Sequence, residues 1–288
     1  MSIAAAAGSF ELGIIYAIMA LGVFISYRIL NVPDLTVDGS FTLGASCSAI
    51  LSVAGQPVLG LLAAVIAGAA AGMLTAVLNT KLKIQALLAG ILTMLALYSV
   101  NLRVMGKANI ALINTPTVFN TGIPSYAVST GLLLVCAVFV YWFLNTKAGF
   151  ALRAAGDNEI MARSAGIHTD SAKLLGLGIA NGLTGLSGAL IAQYQSFADF
   201  SMGVGMVIIA LASVIIGEAV LVKRTLFVRL LAAVVGSVIY RFVIAIVLQL
   251  GLNPVDLKLI SAVIVVLALS MPVIGKRFKR REKQGRGN

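Results

Sequence analysis

Apolar runs of about 20 residues, separated by short polar or Gly/Pro-containing stretches, fill most of this 288-residue chain. A helix needs about 20 apolar residues to cross the hydrocarbon core of a bilayer. Cutting the sequence at its polar, Gly and Pro positions gives about nine predicted spans, at 9–29, 39–55, 57–79, 84–102, 126–145, 171–193, 203–222, 226–250 and 255–275. The sequence therefore predicts an all-α polytopic membrane domain over residues 1–275 and a basic cytoplasmic tail over 276–288.

Composition agrees with this class of protein. The chain is 60% hydrophobic and 11% charged, whereas an ordinary soluble domain is about 25% charged. The net charge of +11 does not predict a nucleic-acid partner, because the Lys and Arg residues lie between apolar runs. Cys47 and Cys136 fall inside apolar runs, and His168 has no partner at metal-ligand spacing. We therefore expect no disulfide, metal site or cofactor in this chain.

The distribution of Lys and Arg predicts the orientation. Alternating the loops between the two sides places 17 of the 21 basic residues on one side, which the positive-inside rule assigns to the cytoplasm. The N-terminus is then predicted outside and the C-terminus inside. Contacts of the basic tail with lipid headgroups are expected.

One predicted cytoplasmic segment, "TKAGFALRAAGDNEIMARSAGI", interrupts the apolar sequence with charges. Asp157 or Asn158 suits the start of a short amphipathic helix, and Arg163 follows Glu159 at the favourable i,i+4 spacing. Gly166 suits its end. Two interpretations are open: a helix that presses into the groove of a partner protein, or a plain loop that follows the charge rule.

Catalysis is not indicated. The chain has no Gly-x-x-x-x-Gly-Lys-Ser/Thr phosphate loop and no nucleophile–base set. We therefore expect a transport subunit without its own ATPase site. Two rivals are an ATP-independent secondary transporter or facilitator and a membrane scaffold. An ion-coupled transporter usually needs a paired carboxylate in midmembrane, and only Glu218 and Asp38 are candidates here.

Polar residues inside the apolar runs are candidates for a substrate pathway. In "NVPDLTVDGSFTLG" a broken helix can direct its first amides at a ligand carboxylate, which makes Asp38, Ser40 and Thr42 candidates. Alternatively, Asp38 caps the second span. Asp34 is expected in cytoplasmic water.

The fourth span offers a second group of pathway candidates. Thr93, Tyr98 and Asn101 share roughly one helical face, where they can line a pathway or join helices by hydrogen bonds. Arg241 is expected to turn outward or to meet a polar neighbour such as Gln249. A buried pair between Arg241 and Glu218 is the less favoured alternative.

The pattern G-x-x-x-R-A-A-G-D-N-x-x-x-A-R-x-x-G-I in the charged segment resembles the coupling loop of binding-protein-dependent ABC importer permeases of the branched-chain amino acid and ribose type. The resemblance implies that residues 146–170 dock onto an ATP-binding subunit. It assigns the transmission of ATP-driven motion to Gly149, Arg153, Gly156, Asp157, Glu159, Ala162, Arg163 and Gly166.

Further stretches, including "NVPDLTVDGSFTLGA", "IIGEAV" and "LGLNPVDLKLISAVIVVLAL", resemble one branch of that family, grouped with tryptophan and tyrosine uptake systems. The resemblance implies a bacterial inner membrane, a second copy of this chain and an extracytoplasmic substrate-binding protein. It also implies that ATP and Mg are bound by the partner ATPase subunit. The solute is then a small molecule such as an aromatic amino acid.

Overall fold

The computed structural model describes residues 3–120, 122–221 and 225–250, with the isolated positions 259, 262, 263 and 266. The larger elements are α1 (Ile3–Val23, continued by a π-helical turn over Phe24–Ile29), α2 (Thr36–Val53), α3 (Pro57–Thr80), α4 (Ala86–Met105), α5 (Ser125–Leu144), α6 (Lys147–Asp157), α7 (Glu159–Ser164), α8 (Thr169–Gln195), α9 (Met206–Val220) and α10 (Leu226–Gln249). Two short strands, β1 (Asn109–Ala111) and β2 (Phe197–Asp199), pair antiparallel.

Helices occupy eight of the nine predicted positions, and the ninth, at 255–275, lies outside the continuous described ranges, as does the tail. Six of the described helices are long and apolar enough to cross a membrane, namely α1 with its π-helical end, α3, α4, α5, α8 and α10. α9 has only 15 residues, and α2 carries many Ser, Thr and Gly residues. The predicted count of nine spans is therefore not confirmed, and the orientation of the termini stays a prediction.

α8 is the centre of the bundle and packs against α1, α2 and α3. Its glycines allow this approach, since a Cβ atom at Gly188 would overlap the carbonyl oxygen of Phe41 on α2. A polar bond joins α8 to α1 as well, where the Ser187 hydroxyl donates to the Ile15 carbonyl at 2.9 Å. Close backbone contact through small residues is the usual way that helices associate in lipid.

The β1–β2 pair ties the loop after α4 to the end of α8. The chain then turns over residues 201–205 and enters α9. The turn lies against the first turns of α2, because a Cβ atom at Gly203 would overlap the carbonyl oxygen of Asp38. The fold therefore brings the start of α9 beside α2.

Candidate functional site: the coupling segment and a polar cavity

The charged segment folds as two short helices, α6 and α7, and each has a side-chain cap. The Thr146 hydroxyl accepts from the Gly149 N–H at 3.3 Å, and the Asn158 side chain accepts from the Met161 N–H at 3.0 Å. α7 ends as the sequence predicts, with Gly166 at a φ of 80°, a conformation that favours glycine. The sequence predicted α7 but did not predict α6.

Ion pairs hold α7 on the start of α8. Glu159 accepts from Arg163 at 2.9 Å and from the Lys173 Nζ at 2.6 Å, and Arg163 also pairs with Asp170 at 2.6 Å. The hydrogen bond from Lys173 lowers the pKa of Glu159, with burial opposing the shift. Asp157, by contrast, is exposed. The predicted Glu159–Arg163 pair is present in the structure.

Three of the residues assigned to coupling face the chain's own bundle. A Cβ atom at Gly149 would overlap the Phe143 carbonyl oxygen, and one at Gly156 would overlap the Ile29 carbonyl oxygen. Ala162 is also buried. Because Ile29 ends the π-helical turn of α1, the inner side of this segment lies in backbone contact with the first span.

Arg153 also faces inward. Its guanidinium donates to the Leu144 carbonyl at 3.1 Å and lies 4.3 Å from the centroid of the Phe150 ring. A cation is favourable beside the carbonyl end of a helix, and Leu144 is the last residue of α5. Arg153 therefore fixes α6 to the end of α5.

The outer side of α7 carries two residues that the sequence analysis did not single out. Ile160 is 80% exposed and Met161 is 69% exposed. Large apolar side chains on a polar segment commonly mark a contact with another protein. A usable signal was present in the sequence, since Ile160 and Met161 are the large apolar residues of the stretch "GDNEIMARSAG", which is otherwise charged, polar or small.

A cavity of about 160 Å³ lies between α2, α4 and the turn before α9. Four of the six residues assigned to a substrate pathway line it: Asp38, Thr42, Tyr98 and Asn101. Phe200, which follows β2, also lines the cavity and meets the Tyr98 ring edge-to-face, with 5.4 Å between centroids. The structure thus brings together candidates from two separate spans.

Asp38 caps a helix, but the helix is not the one expected. Its Oδ2 accepts from the Gly205 N–H and its Oδ1 from the Val207 N–H, each at 2.8 Å. These amides belong to the start of α9, which carries a partial positive charge. Thr42 supports the same turn, accepting from the Gly203 N–H at 3.1 Å. The alternative interpretation of Asp38, as the cap of the second span, is therefore wrong, since Asp38 lies inside α2.

The two remaining pathway candidates do not line the cavity. The Ser40 hydroxyl donates to the Asn181 Oδ1 at 2.8 Å, and the Thr93 hydroxyl lies 2.9 Å from that of Thr75 on α3. Both side chains are buried. They join helices by hydrogen bonds, which was the alternative interpretation of Thr93.

Asp34 contradicts the expectation that it lies in water. Its side chain is buried, with Oδ1 accepting from the Thr36 N–H at 2.9 Å and Oδ2 from the Asn181 Nδ2 at 2.6 Å. The turn before α2 folds into the bundle, where Leu35 contacts Gly90 of α4. Asp34 therefore joins the first N–H of α2 to Asn181 of α8.

Glu218 and Arg241, charged residues of α9 and α10, also have partners that differ from those expected. Glu218, near the end of α9, forms an ion pair with Arg28 of the π-helical turn. Arg241 lies 3.8 Å from the centroid of the Tyr16 ring on α1, where the face of an aromatic ring attracts a cation. The alternative pair between Glu218 and Arg241 is not formed within the described residues, and Arg241 turns toward α1 rather than outward.

A scan against family models matches residues 6–270 to the family described as "Branched-chain amino acid transport system / permease component". A tyrosine transport system permease protein of Clostridioides difficile (strain R20291) is 43% identical over 89% of this chain and 88% of its own length. The ribose import permease protein RbsC of Escherichia coli (strain K12) is 26% identical over 88% of this chain and 80% of its own length.

Among solved structures, PsaBC from Streptococcus pneumoniae in complex with Fab matches with a TM-score of 0.56 and 12% identity, covering 91% of this chain and 90% of that one. This likeness concerns the fold alone. The family and the six apolar helices confirm the prediction of a multi-pass protein of a bacterial cell membrane. The chain belongs to the permease components of branched-chain amino acid transport systems, a family of transport subunits rather than enzymes.

Proposed function

We propose that this chain is the membrane-spanning subunit of an ABC importer, which forms the translocation pathway with a second copy of itself. A separate subunit binds ATP and Mg and docks on residues 146–170, and an extracytoplasmic binding protein delivers the solute. The observation that carries this proposal is the two-sided coupling segment. Its inner side contacts the bundle through glycines, while Ile160 and Met161 on its outer side are exposed.

A chain of contacts connects the segment with the cavity. Gly156 touches the π-helical turn at Ile29, Arg28 of the same turn pairs with Glu218 at one end of α9, and Asp38 caps the other end of α9. Under this proposal, a displacement of α6 by the ATP-binding subunit is transmitted to the π-helical turn and along α9 to the cavity wall. Coupling between distant sites requires such a contiguous element or a shared equilibrium that both sites bias.

The transported solute is an aromatic amino acid under this proposal. Its support is the 43% identity to the tyrosine transport system permease protein, together with the aromatic pair Tyr98–Phe200 at the cavity. An α-amino acid also needs polar partners, and the cavity supplies Asp38, Thr42 and Asn101.

Docking of the motor is tested by co-purifying the chain with candidate ATP-binding subunits, using wild type and Ile160→Asp. A charge in a contact that excludes water is costly, so we expect binding to fall by about tenfold or more. The matched control is Ile113→Asp, an equally large change at an exposed isoleucine in the loop between α4 and α5, which the predicted alternation of the loops puts on the other side of the membrane. This variant should bind the ATPase as wild type does.

Uptake into proteoliposomes containing the whole complex then tests transport itself. We expect uptake of tyrosine or tryptophan only with ATP and the binding protein, and loss of uptake in Ile160→Asp. A folded Ile160→Asp protein that binds the ATPase normally would contradict the docking surface. Uptake that proceeds without ATP would favour a facilitator instead.

A further inference from the structure

The cavity between α2, α4 and the start of α9 has a mostly apolar wall in which three side chains carry hydrogen-bond acceptors. Asp38 contributes a carboxylate, Asn101 an amide and Thr42 a hydroxyl, while the described residues that line the cavity include no Lys, Arg or His. Both Asp38 oxygens accept from N–H groups at the start of α9, as an ionised carboxylate does. The cavity is therefore suited to a cation or a donor group.

Asn101 provides an independent observation. The residue is 2% exposed, and its Nδ2 donates to the Gly39 carbonyl at 3.2 Å. Because a carbonyl oxygen only accepts, the amide nitrogen must face Gly39. Its Oδ1 is then left buried without a hydrogen-bond partner among the described residues. A buried acceptor in this state is costly, and a donor group of a ligand would satisfy it.

The helix starts nearest the cavity do not offer a place for a ligand carboxylate. Asp34 accepts from an N–H group at the start of α2, and Asp38 accepts from two N–H groups at the start of α9. The protein's own carboxylates thus occupy the positions that would otherwise attract an anion. A ligand carboxylate placed here would also meet the charge of Asp38.

Aromatic rings complete the cavity wall. Tyr98 and Phe200 meet edge-to-face at the cavity, and aromatic faces attract cations as well as apolar groups. The volume of about 160 Å³ is below the ~300 Å³ at which pockets for drug-sized ligands begin. The space suits one end of a small molecule.

We propose that this cavity binds a primary ammonium group, which Asn101 Oδ1 and Asp38 recognise while Tyr98 and Phe200 contact the adjoining apolar carbons. This inference rests on the proposed function, in which the ammonium belongs to the transported aromatic amino acid. The permease then selects its solute by the amino end, and the carboxylate end lies outside the cavity.

The experiment compares two probes that differ at one end, tyramine and 3-(4-hydroxyphenyl)propanoate, binding to the full-length chain with its ATPase subunit in nanodiscs. We expect tyramine to bind at least about tenfold more tightly, the usual scale of a hydrogen bond to a charged group. Asn101→Leu should weaken tyramine binding about tenfold to a hundredfold. Asn101→Asp should keep it within about threefold or strengthen it, because a carboxylate accepts from an ammonium.

The two variants separate recognition from structure. With the ammonium bound, the substituted carboxylate is ionised and cannot donate to the Gly39 carbonyl. Both variants therefore lose that bond in the complex, and a purely structural role would weaken tyramine binding equally in both. Ser129→Ala is the control, since Ser129 is a buried hydroxyl without a partner among the described residues and lies on α5, away from the cavity. It should bind tyramine as wild type does.

The outcomes also distinguish this inference from the proposed function. Equal binding of the two probes, or equal losses in Asn101→Leu and Asn101→Asp, overturns the ammonium site even if the wild-type complex takes up tyrosine with ATP. A preference for tyramine that only Asn101→Leu removes supports the site. If the wild-type complex then shows no ATP-driven uptake, the transport proposal fails and the ammonium site stands.

Discussion

α5 and α8 are both apolar membrane-spanning helices, but they occupy opposite environments. In its most apolar stretch α8 is 83% buried, whereas α5 is only 33% buried although it is the more hydrophobic of the two. In water the more apolar helix would occupy the core. In a bilayer the lipid solvates apolar side chains as well as a protein interior does, so hydrophobicity does not decide which helix is central.

Small and polar residues decide the position instead. α8 carries Gly178, Gly182, Gly185 and Gly188, and its polar side chains Asn181, Thr184, Ser187 and Gln193 are buried. α5 presents large side chains outward, among them Phe139 and Trp142. Close backbone approach and internal hydrogen bonds are the attractive terms that remain in lipid. The least hydrophobic span is therefore the centre of this bundle.

The sharpest test of this contrast places the same side chain at a glycine of each helix. A Cβ atom at Gly188 of α8 would overlap the Phe41 carbonyl, while one at Gly131 of α5 meets no atom within 4 Å. Overpacking commonly costs about 1–3 kcal/mol and occasionally more, and the cost at Gly188 should exceed this range because an obstacle made of backbone cannot move aside. We expect Gly188→Leu to abolish folding and Gly131→Leu to leave it intact, as measured by the folded fraction in detergent. Equal behaviour of the two variants would contradict the assignment of α8 to the interior.

A smaller effect is expected from removing one amide side chain from α8 and one from the residue that follows α5. Asn181 of α8 is hydrogen-bonded to Asp34 at 2.6 Å and to Ser40 at 2.8 Å, whereas Asn145, after α5, is exposed and bonds to the Tyr141 carbonyl. Asn181→Ala leaves the Asp34 carboxylate and the Ser40 hydroxyl without this partner. The loss should lower the free energy of unfolding by about 1–3 kcal/mol. Asn145→Ala should change stability by less than about 0.5 kcal/mol. Reversible unfolding in mixed micelles measures both, and a neutral Asn181→Ala would show that the network does not hold α2 on α8.

Helix positions could be predicted because each span is a local pattern. The breaks before Pro57 and after Asn145 mark helix ends through properties of the neighbouring residues alone, and α7 was predicted from its Asn158 cap and the Glu159–Arg163 spacing. Asp38 and Asn101 could each be selected as a pathway candidate, because both are polar residues in apolar surroundings. Local chemistry was sufficient for these features.

The partners of buried charges could not be predicted. Arg28 and Glu218 are separated by 190 positions, and nothing in the sequence around either residue records the other. The same holds for Asp34 and Asn181, whose bond depends on a turn that folds into the bundle. The close backbone contact at Gly156 could not be predicted either, because it arises from Ile29, in another span. Such contacts follow from packing of the whole chain.

The smallest expected effect concerns Glu159 of α7, which lies outside the membrane-spanning helices that the first two predictions compare. Its folded pKa is lowered from the ordinary 4.5, first by the hydrogen bond from Lys173. A lowered folded pKa means that the ionised pair stabilises α7 above the unfolded pKa and loses this effect as the pH falls through the folded one. The Glu159 side chain is 37% exposed, so solvent screening limits the gain at pH 7 to about 0.2–1 kcal/mol.

Hydrogen exchange of the α7 amides, corrected for intrinsic rates, measures this local stability. At pH 7 we expect Glu159→Gln to exchange faster than wild type, and the difference should vanish below the folded pKa of Glu159, where the wild-type side chain is also neutral. Raising the ionic strength at pH 7 should also reduce the difference in exchange rate between the variant and wild type. Asp157→Asn removes the same charge from an exposed neighbour and should show little change. A difference that persists in acid would mean that packing, rather than the ion pairs, holds α7 against α8.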